Sequence, residues 1–460
     1  MSAHILASPS AGEIAIIGLG RSGTAATRLF LSHGYSVYAC DDGSSPQLNG
    51  VATQLRDAGA TVQIGHHDAS RIASAALVVV SPGVPPDAAA MVTARRSSRT
   101  VVSEVEAALR FAPEIRYVAV TGTNGKTTTT ALIGHVLRAL GLAAPDAGNI
   151  GTPLSEIVAA SVLPDWVSLE LSSFQLHDTP SVDPDVGVLT NLSPDHLDRY
   201  PGVAEYFADK ALLFRNATAR SRWVINADDP ASLKMTNGVA GEHTYFSVHD
   251  VADAFYDRGS DVLNIFGAPL LSRSRLSLLG DHNVSNALAA ALAVMSASSD
   301  FRSDSARASI ARALETFRAM PNRLEVVGEW DGVEWINDSK ATNVASTLVA
   351  VQGMIRPTIL LLGGRHKGEP YTGLTDSVAK HVKQIIAYGE AAPIVEHDLA
   401  GVTSMTRVDG SFEEVLAAAR RSAVRGDVVL LSPACSSYDM FNNYVERGAR
   451  FRQLAAASNG

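Results

Sequence analysis

Residues 116–140 constrain the fold more than any other stretch: R-Y-V-A-V runs into T-G-T-N-G-K-T-T-T-T and then into A-L-I-G-H-V-L-R-A-L. The apolar run at 117–120 predicts a buried strand, and Leu132, Ile133, Val136, Leu137 and Leu140 recur at helical spacing. Between them, Gly122 and Gly125 let backbone N–H groups turn inward on an anion, and the helix aims its positive end at the same point. Lys126 adds a full charge and the Thr127 hydroxyl can ligate Mg²⁺, so the turn suits a nucleoside triphosphate. The match to G-x-x-x-x-G-K-[ST] is incomplete, because Val120 and Thr121 stand where a first glycine is sought. The competing reading is an ordinary strand-turn-helix corner with a surface lysine.

A length of 460 residues points to about three domains. Apolar residues make up 46% and charged ones 18%, as in well-packed soluble proteins with ample core to bury. The net charge of −9 leaves no basic footprint for nucleic acid or an anionic membrane, so any polyanion bound must be small and locally gripped. The two cysteines, Cys40 and Cys435, support neither a disulfide framework nor a cysteine metal site and fit a reducing cytoplasm. The first ten residues carry no Lys or Arg and no apolar core, so neither an export signal nor a membrane span is expected.

In chain order, an apolar strand at 14–17 enters G-L-G-R-S-G at 18–23, a helix runs to about His33, and a strand at 36–40 ends at Asp41. This βαβ start suits a dinucleotide, and the pyrophosphate of a nucleotide sugar would satisfy the same glycines; tight packing without a ligand is the third possibility. A run at 76–80 ends in S-P-G-V-P-P, a rigid loop where ligands of such sheets sit. Val101 and Val102 predict a last strand, and Ser103 and Glu106 have capping-box spacing. The first boundary is placed near residue 105.

Two later runs, W-V-S-L-E-L-S-S-F-Q-L and V-G-V-L-T-N-L-S-P-D-H-L-D-R-Y, stop at polar groups. Glu170 lies within apolar sequence and needs a partner or a cation; His196 can ligate a metal or hold a phosphate. Each is alternatively a structural polar residue. Lys210 follows Tyr206 and Phe207 in a helix, where a lysine ordinarily snorkels. Asn283 and Asn286, one helical turn apart, can read a base edge, although capping also accounts for Asn283. Beyond Met320-Pro321, Asp331-Gly332 predicts a two-residue hairpin, and strands at 358–362 and 428–432 predict a covered parallel sheet.

T-G-T-N-G-K-T-T, E-L-S-S-F-Q-L, N-L-S-P-D-H-L-D-R-Y, A-D-K-A-L-L-F, L-L-G-D-H-N-V-S-N-A and N-D-S-K-A-T-N together resemble the Mur ligases, ATP-dependent amide ligases that build the peptidoglycan stem peptide. Within that family the first domain and L-S-P-A-C-S-S-Y-D-M-F resemble the branch that adds D-glutamate to UDP-N-acetylmuramoyl-L-alanine (UDP-MurNAc-L-Ala). The resemblance implies an α/β chain of three domains: a Rossmann-like substrate domain at 1–105, a central P-loop ATPase-like domain at 106–319 with a mainly parallel sheet, and a Rossmann-like amino-acid-binding domain at 320–460. It also implies a cytoplasmic monomer.

The resemblance further implies that Gly122, Thr123, Asn124, Gly125, Lys126, Thr127 and Thr128 cradle ATP. Asn283, Asn286, Arg323 and Asp338 would contact it too, and Lys340 would neutralise the phosphoryl group. Two Mg²⁺ ions would be held, one by Thr127 and Glu170, the other by His196 and a carbamylated Lys210. The UDP substrate would lie against Gly18, Leu19, Gly20, Arg21, Ser22 and Gly23, with Asp41, Ser81, Pro82 and Gly83, and Asn149 would touch its muramoyl part. Thr342, Lys367, Ser437, Tyr438 and Tyr444 would receive D-glutamate; Tyr438 and Tyr444 stand where Leu and Phe are usual, and Arg365-His366 replaces a pair that varies in the family.

A carboxylate acylates poorly, so phosphoryl transfer to it followed by amine attack is a chemically sound route that asks mainly for positioning and charge neutralisation. Two other functions are weighed against it. A nicotinamide oxidoreductase built on the first βαβ unit leaves G-K-T-T without a task, and a P-loop switch acting on a protein partner leaves the C-terminal loops without one.

Overall fold

The computed structural model describes residues 9–97, 99–197, 199–318 and 320–457. Asp198 of the D-H-L-D run and residues 1–8 of the N-terminal segment lie outside them. Three sheets form.

The first holds β1 (Ile14–Ile17), β2 (Val37–Asp41), β3 (Thr61–Ile64), β4 (Leu77–Val80) and β5 (Val101–Ser103), all parallel, in the order 3-2-1-4-5. Its short apolar strands are covered on both faces, with Ile14, Ile16, Ala39 and Val79 in one core and Ala15, Ile17, Tyr38 and Val78 in the other. The expected strands at 36 and 76 each start one residue later, at Val37 and Leu77.

The central sheet contains β6 (Tyr117–Thr121), β7 (Asp146–Gly148), β8 (Val167–Glu170), β9 (Val186–Leu189), β10 (Arg222–Asn226), β11 (Glu242–Ser247), β12 (Ala254–Asp257), β13 (Val262–Ile265) and β14 (Ala268–Ser272). Its order is 14-13-12-11-10-9-6-8-7, parallel from β7 through β12 and antiparallel across β12, β13 and β14. The helix Asp281–Ala297 opens with polar residues and is apolar on every side from Ala287 through Met295, all buried, as an enclosed helix requires.

Ser103 caps the helix Glu104–Phe111 by accepting the Glu106 N–H at 3.0 Å. The expected capping box does not close. The Ser103 N–H is spent on the Asp178 carbonyl at 2.7 Å, and the Glu106 carboxylate accepts instead from Arg110 Nε at 2.7 Å and the Ser181 N–H at 2.9 Å. This helix feeds two cores, Ala107 joining the first sheet and Val105, Ala108 and Leu109 the central one.

The third sheet has β15 (Glu325–Trp330), β16 (Val333–Asn337), β17 (Thr358–Gly363), β18 (Val382–Tyr388), β19 (Ser404–Val408) and β20 (Val428–Leu431), ordered 15-16-20-17-18-19. Only β15 and β16 are antiparallel, joined by Asp331 at φ 54° and Gly332 at φ 75°, the two left-handed residues that the hairpin asks for. The chain divides into two compact units: Met1–Leu192 with Arg199–Ser272 and Asn286–Leu314, which holds the first two sheets, and Ser193–Asp198 with Arg273–Ser285 and Glu315–Gly460, which holds the third. Among the described residues no helix is long and apolar enough to cross a membrane.

Candidate active site

In the first unit, β6 delivers the chain to the turn at 122–125 and the helix Lys126–Ala139 leads it away. Gly122 (φ 141°) and Gly125 (φ 80°) adopt backbone that side chains resist. Space forbids one as well: a Cβ on Gly122 would stand 2.0 Å from Thr190 Oγ1, and one on Gly125 would stand 2.4 Å from Asn286 Oδ1. Lys126 Nζ donates to the Thr123 carbonyl at 2.6 Å, and Thr127 and Thr128 are buried at the helix start.

Two residues that the sequence reading passed over brace this turn. Thr190 Oγ1 donates to the Asn124 carbonyl at 2.6 Å, while Asn191 accepts the Asn124 N–H at 3.0 Å and returns its own amide to the Asn124 carbonyl at 3.0 Å. They sit there because β9 lies beside β6, so its end meets the turn.

On the other side of β6, β8 ends at Glu170, opposite Val120. The carboxylate is buried; Oε1 accepts from Asn149 Nδ2 at 2.7 Å and Oε2 has no hydrogen-bond partner among the described residues. A buried carboxylate oxygen left open beside a phosphate cradle fits a divalent cation. Among the described residues no cluster of three His, Cys, Asp or Glu is found.

Lys210 does not snorkel. It is 1% exposed, its Nζ donates to the Gly122 carbonyl at 2.5 Å, and it lies 4.6 Å from the centre of the Tyr206 ring. Tyr206, read from the sequence as merely apolar, reaches Thr123 Oγ1 with its hydroxyl at 3.3 Å. Asn286 accepts from Thr129 Oγ1 at 3.2 Å, and Asn283 donates to the Leu279 carbonyl at 2.8 Å.

The first sheet carries a cavity of about 410 Å³ lined by Gly18, Gly20, Arg21, Ser22 and Asp41 together with Ser81, Pro82 and Gly83. Leu19 and Gly23 stand behind this wall: Leu19 is buried, and a Cβ on Gly23 would meet the Gly18 carbonyl at 1.8 Å. Asp41 shapes the loop through both oxygens, accepting the Leu19 N–H at 2.7 Å and the Gly43 N–H at 2.8 Å.

The second unit gathers the remaining expected residues. Asp338 directly follows β16; burial pushes its carboxyl up to about 7 despite hydrogen bonds from Ser432 Oγ at 2.9 Å and the Leu324 N–H at 3.3 Å. Lys340 lies over the Tyr444 ring at 4.0 Å. Lys367 Nζ is 3.4 Å from Thr342 Oγ1 and 3.8 Å from Asp195 Oδ1, and Asn343 Nδ2 donates to Asp195 Oδ2 at 3.0 Å. His196, left-handed at φ 55°, places Nε2 3.7 Å from Asp195 Oδ2.

The loops after β17 and β20 pair with each other through Arg365 and Ser436. Ser437 is buried and Tyr438 is exposed, while Arg365 is drawn to Glu390 at 2.9 Å. Beneath these loops Arg447 is buried, and it donates to Ser339 Oγ (3.0 Å) and to the carbonyls of Ser339 (2.9 Å), Cys435 (3.1 Å) and Ser436 (3.3 Å).

Each sheet coincides with one matched family. Residues 12–103 match the Mur ligase MurD-like N-terminal domain, residues 120–294 the Mur ligase middle domain, and residues 322–435 the Mur ligase glutamate ligase domain. The chain is 37% identical over 449 residues to UDP-N-acetylmuramoylalanine--D-glutamate ligase of Desulfatibacillum aliphaticivorans, a match covering 97% of this chain and 98% of that protein. Its fold is shared with UDP-N-acetylmuramate-alanine ligase MurC from Thermotoga maritima, at a TM-score of 0.63 and 19% identity over 97% of this chain and 100% of that one. MurF ligase from Thermotoga maritima in complex with ADP aligns with a TM-score of 0.59 and 15% identity over 99% and 98% of the two chains. With three Mur ligase domains matched in order and this full-length likeness, the chain belongs to the Mur ligase family.

Proposed function

We propose that the chain is an ATP-dependent ligase that joins D-glutamate to UDP-MurNAc-L-Ala through an acyl phosphate, in cytoplasmic synthesis of peptidoglycan precursors. The observation that carries this reading is the likeness, over nearly the whole of both chains, to a D-glutamate ligase.

The geometry supplies the chemistry. The N–H groups of the turn at 122–125 and the Lys126 ammonium hold the ATP phosphates, with the helix Lys126–Ala139 directing its positive end at them. Thr127 Oγ1 and the open Glu170 oxygen would hold one Mg²⁺, and Asn149 fixes the rotamer of Glu170. When bound, that ion neutralises charge on the transferring phosphoryl group. Asn283, Asn286, Arg323 and Asp338 would take the rest of the nucleotide.

The precursor's UDP would lie in the cavity of the first sheet, whose glycines and Arg21 suit a pyrophosphate, with Asn149 toward its muramoyl part. Its L-alanine carboxylate attacks the γ-phosphorus and ADP leaves, with Lys340 holding the phosphoryl charge. The amine of D-glutamate then attacks the acyl carbon, and phosphate departs as the amide forms. Thr342, Lys367, Ser437, Tyr438 and Tyr444 would seat D-glutamate; Lys367 and Thr342 are in contact, as a carboxylate clamp requires.

Lys210 as an ammonium donates to the Gly122 carbonyl and cannot ligate a cation. Addition of CO₂ to its neutral amine, with release of a proton, would make it a carboxylate-bearing ligand for a second Mg²⁺. Cradle, cavity and acceptor loops all lie in one chain, so a monomer suffices. The deciding experiment measures phosphate release from ATP with UDP-MurNAc-L-Ala and one amino acid at a time. D-glutamate should support turnover, with L-glutamate, L-alanine and diaminopimelate near background; equal turnover with L-alanine would overturn the acceptor assignment and leave the ligase chemistry standing.

A further inference from the structure

Arg323 is flanked by two non-glycine residues in left-handed backbone, Asn322 at φ 66° and Leu324 at φ 43°. Asparagine tolerates that region and leucine rarely enters it, so such a segment persists only where its surroundings over-determine it. Here they do. Asn322 is 3% exposed, and its N–H, its side-chain oxygen and its carbonyl are all engaged. Its N–H donates to Glu325 Oε2 at 2.8 Å, its side-chain oxygen accepts from Asn337 Nδ2 at 3.0 Å and Arg452 Nη1 at 3.2 Å, and its carbonyl accepts the Lys340 N–H at 3.1 Å.

Glu325 Oε2 is itself reached by Asn337 at 3.0 Å and Arg452 at 2.9 Å, which closes the network. The helix Tyr444–Ala456 supplies Arg452 and comes as near as a glycine permits, since a Cβ on Gly448 would stand 1.8 Å from Asn322 Oδ1. One residue therefore links the two: its side chain anchors the backbone that bears Arg323, and its main-chain carbonyl, held in place by that anchor, accepts from the backbone that bears Lys340.

We propose that Asn322 is a positioning residue for phosphoryl transfer: clamped by Glu325, Asn337 and Arg452, it sets the spacing of the Arg323 and Lys340 cations. The inference rests on the reading above, in which these two cations serve ATP. It gives the C-terminal helix a task in the chemistry, because Arg452 acts on the ATP end of the site through Asn322.

The test uses the full chain with saturating Mg²⁺ and compares wild type, Asn322→Ala, Asn322→Gly and Arg452→Met. Steady-state kinetics are read separately for ATP, UDP-MurNAc-L-Ala and D-glutamate, alongside ADP titration calorimetry and thermal unfolding. Displacement of a positioned charge by a fraction of an ångström to 1 Å costs about 10- to 100-fold, so Asn322→Ala should lose that much in kcat/KM for ATP. Its KM for the other two substrates should stay within about twofold, because their sites lie elsewhere.

Asn322→Gly keeps the left-handed backbone and should recover part of the loss, while Arg452→Met, which removes the clamp on Asn322 and Glu325, should show the same split at about threefold. If Asn322→Ala does not fold, the glycine and Arg452 variants carry the same comparison. ATP parameters within twofold of wild type, or equal losses for all three substrates in step with lost folded protein, would overturn the inference. A wild-type chain that binds ADP but forms no product with UDP-MurNAc-L-Ala would overturn the functional reading instead, and the positioning claim with it.

Discussion

Glu104 opens the helix that leads out of the first sheet, and replacing it with glutamine should make the protein more stable at high pH and change nothing at low pH. The carboxyl is 1% exposed, accepts the Ser155 N–H at 2.5 Å, and burial raises it from an ordinary 4.5 to about 7. Because the folded-state value is raised, the folded chain holds a proton that the unfolded chain releases between pH 4.5 and 7. The cost of this group is therefore absent below about pH 4, grows through that window and is complete above pH 7, where it amounts to about 3 kcal/mol.

Glutamine keeps an oxygen for the Ser155 N–H and carries no charge. Urea unfolding followed through Trp166 and Trp223, both buried in the same unit, would compare Glu104→Gln with wild type at pH 5 and pH 8. The variant's advantage should rise between the two by about 2 kcal/mol, allowing for relaxation around the charge. An advantage that does not change with pH, or that shrinks as pH rises, would refute the reasoning.

Lys126→Ala should lower turnover by about two to three orders of magnitude with the fold intact, since it removes a charge that meets the phosphates in ground state and transition state alike; near-normal phosphate release would deny the turn its role. Lys210→Arg should be nearly inactive yet folded, and ¹³C NMR of wild type in labelled bicarbonate should show a carbamate signal that the variant lacks. A fully active arginine variant, or no such signal, would leave Lys210 a structural role only, in its contacts with Gly122 and Tyr206.

The parts of the site that were legible in the sequence are those in which chemistry forces residue type. Gly122 and Gly125 announce a turn that no side chain fits, and Asp331-Gly332 announces its hairpin for the same reason. Thr190 and Asn191 were not legible, because a threonine and an asparagine after a strand are ordinary until β9 is known to lie beside β6. The helix pattern around Lys210 alone allows a lysine covering the apolar face, and only the family resemblance pointed it toward the site; its bond to Gly122 depends on tertiary packing. Ser103 and Glu106 had the right spacing for a capping box, but tertiary partners Asp178, Arg110 and Ser181 took the groups that would have closed it. The antiparallel strands β13 and β14 went unanticipated because their half-exposed sequences lack the continuous apolar runs of the covered strands.

Among the described residues, Arg447 donates only to neutral oxygens, three carbonyls and one hydroxyl. Those bonds solvate the guanidinium without cancelling its charge, so its field extends into the loops at 339 and 435–437. Burial shields that field from dissolved salt far better than a surface cation's would be shielded. In a chain of net charge −9, this amounts to a local inversion of sign under the loops that, on the proposed reading, receive an acceptor with two carboxylates. Attraction of the acceptor there would persist at ionic strengths that erase steering by exposed lysines.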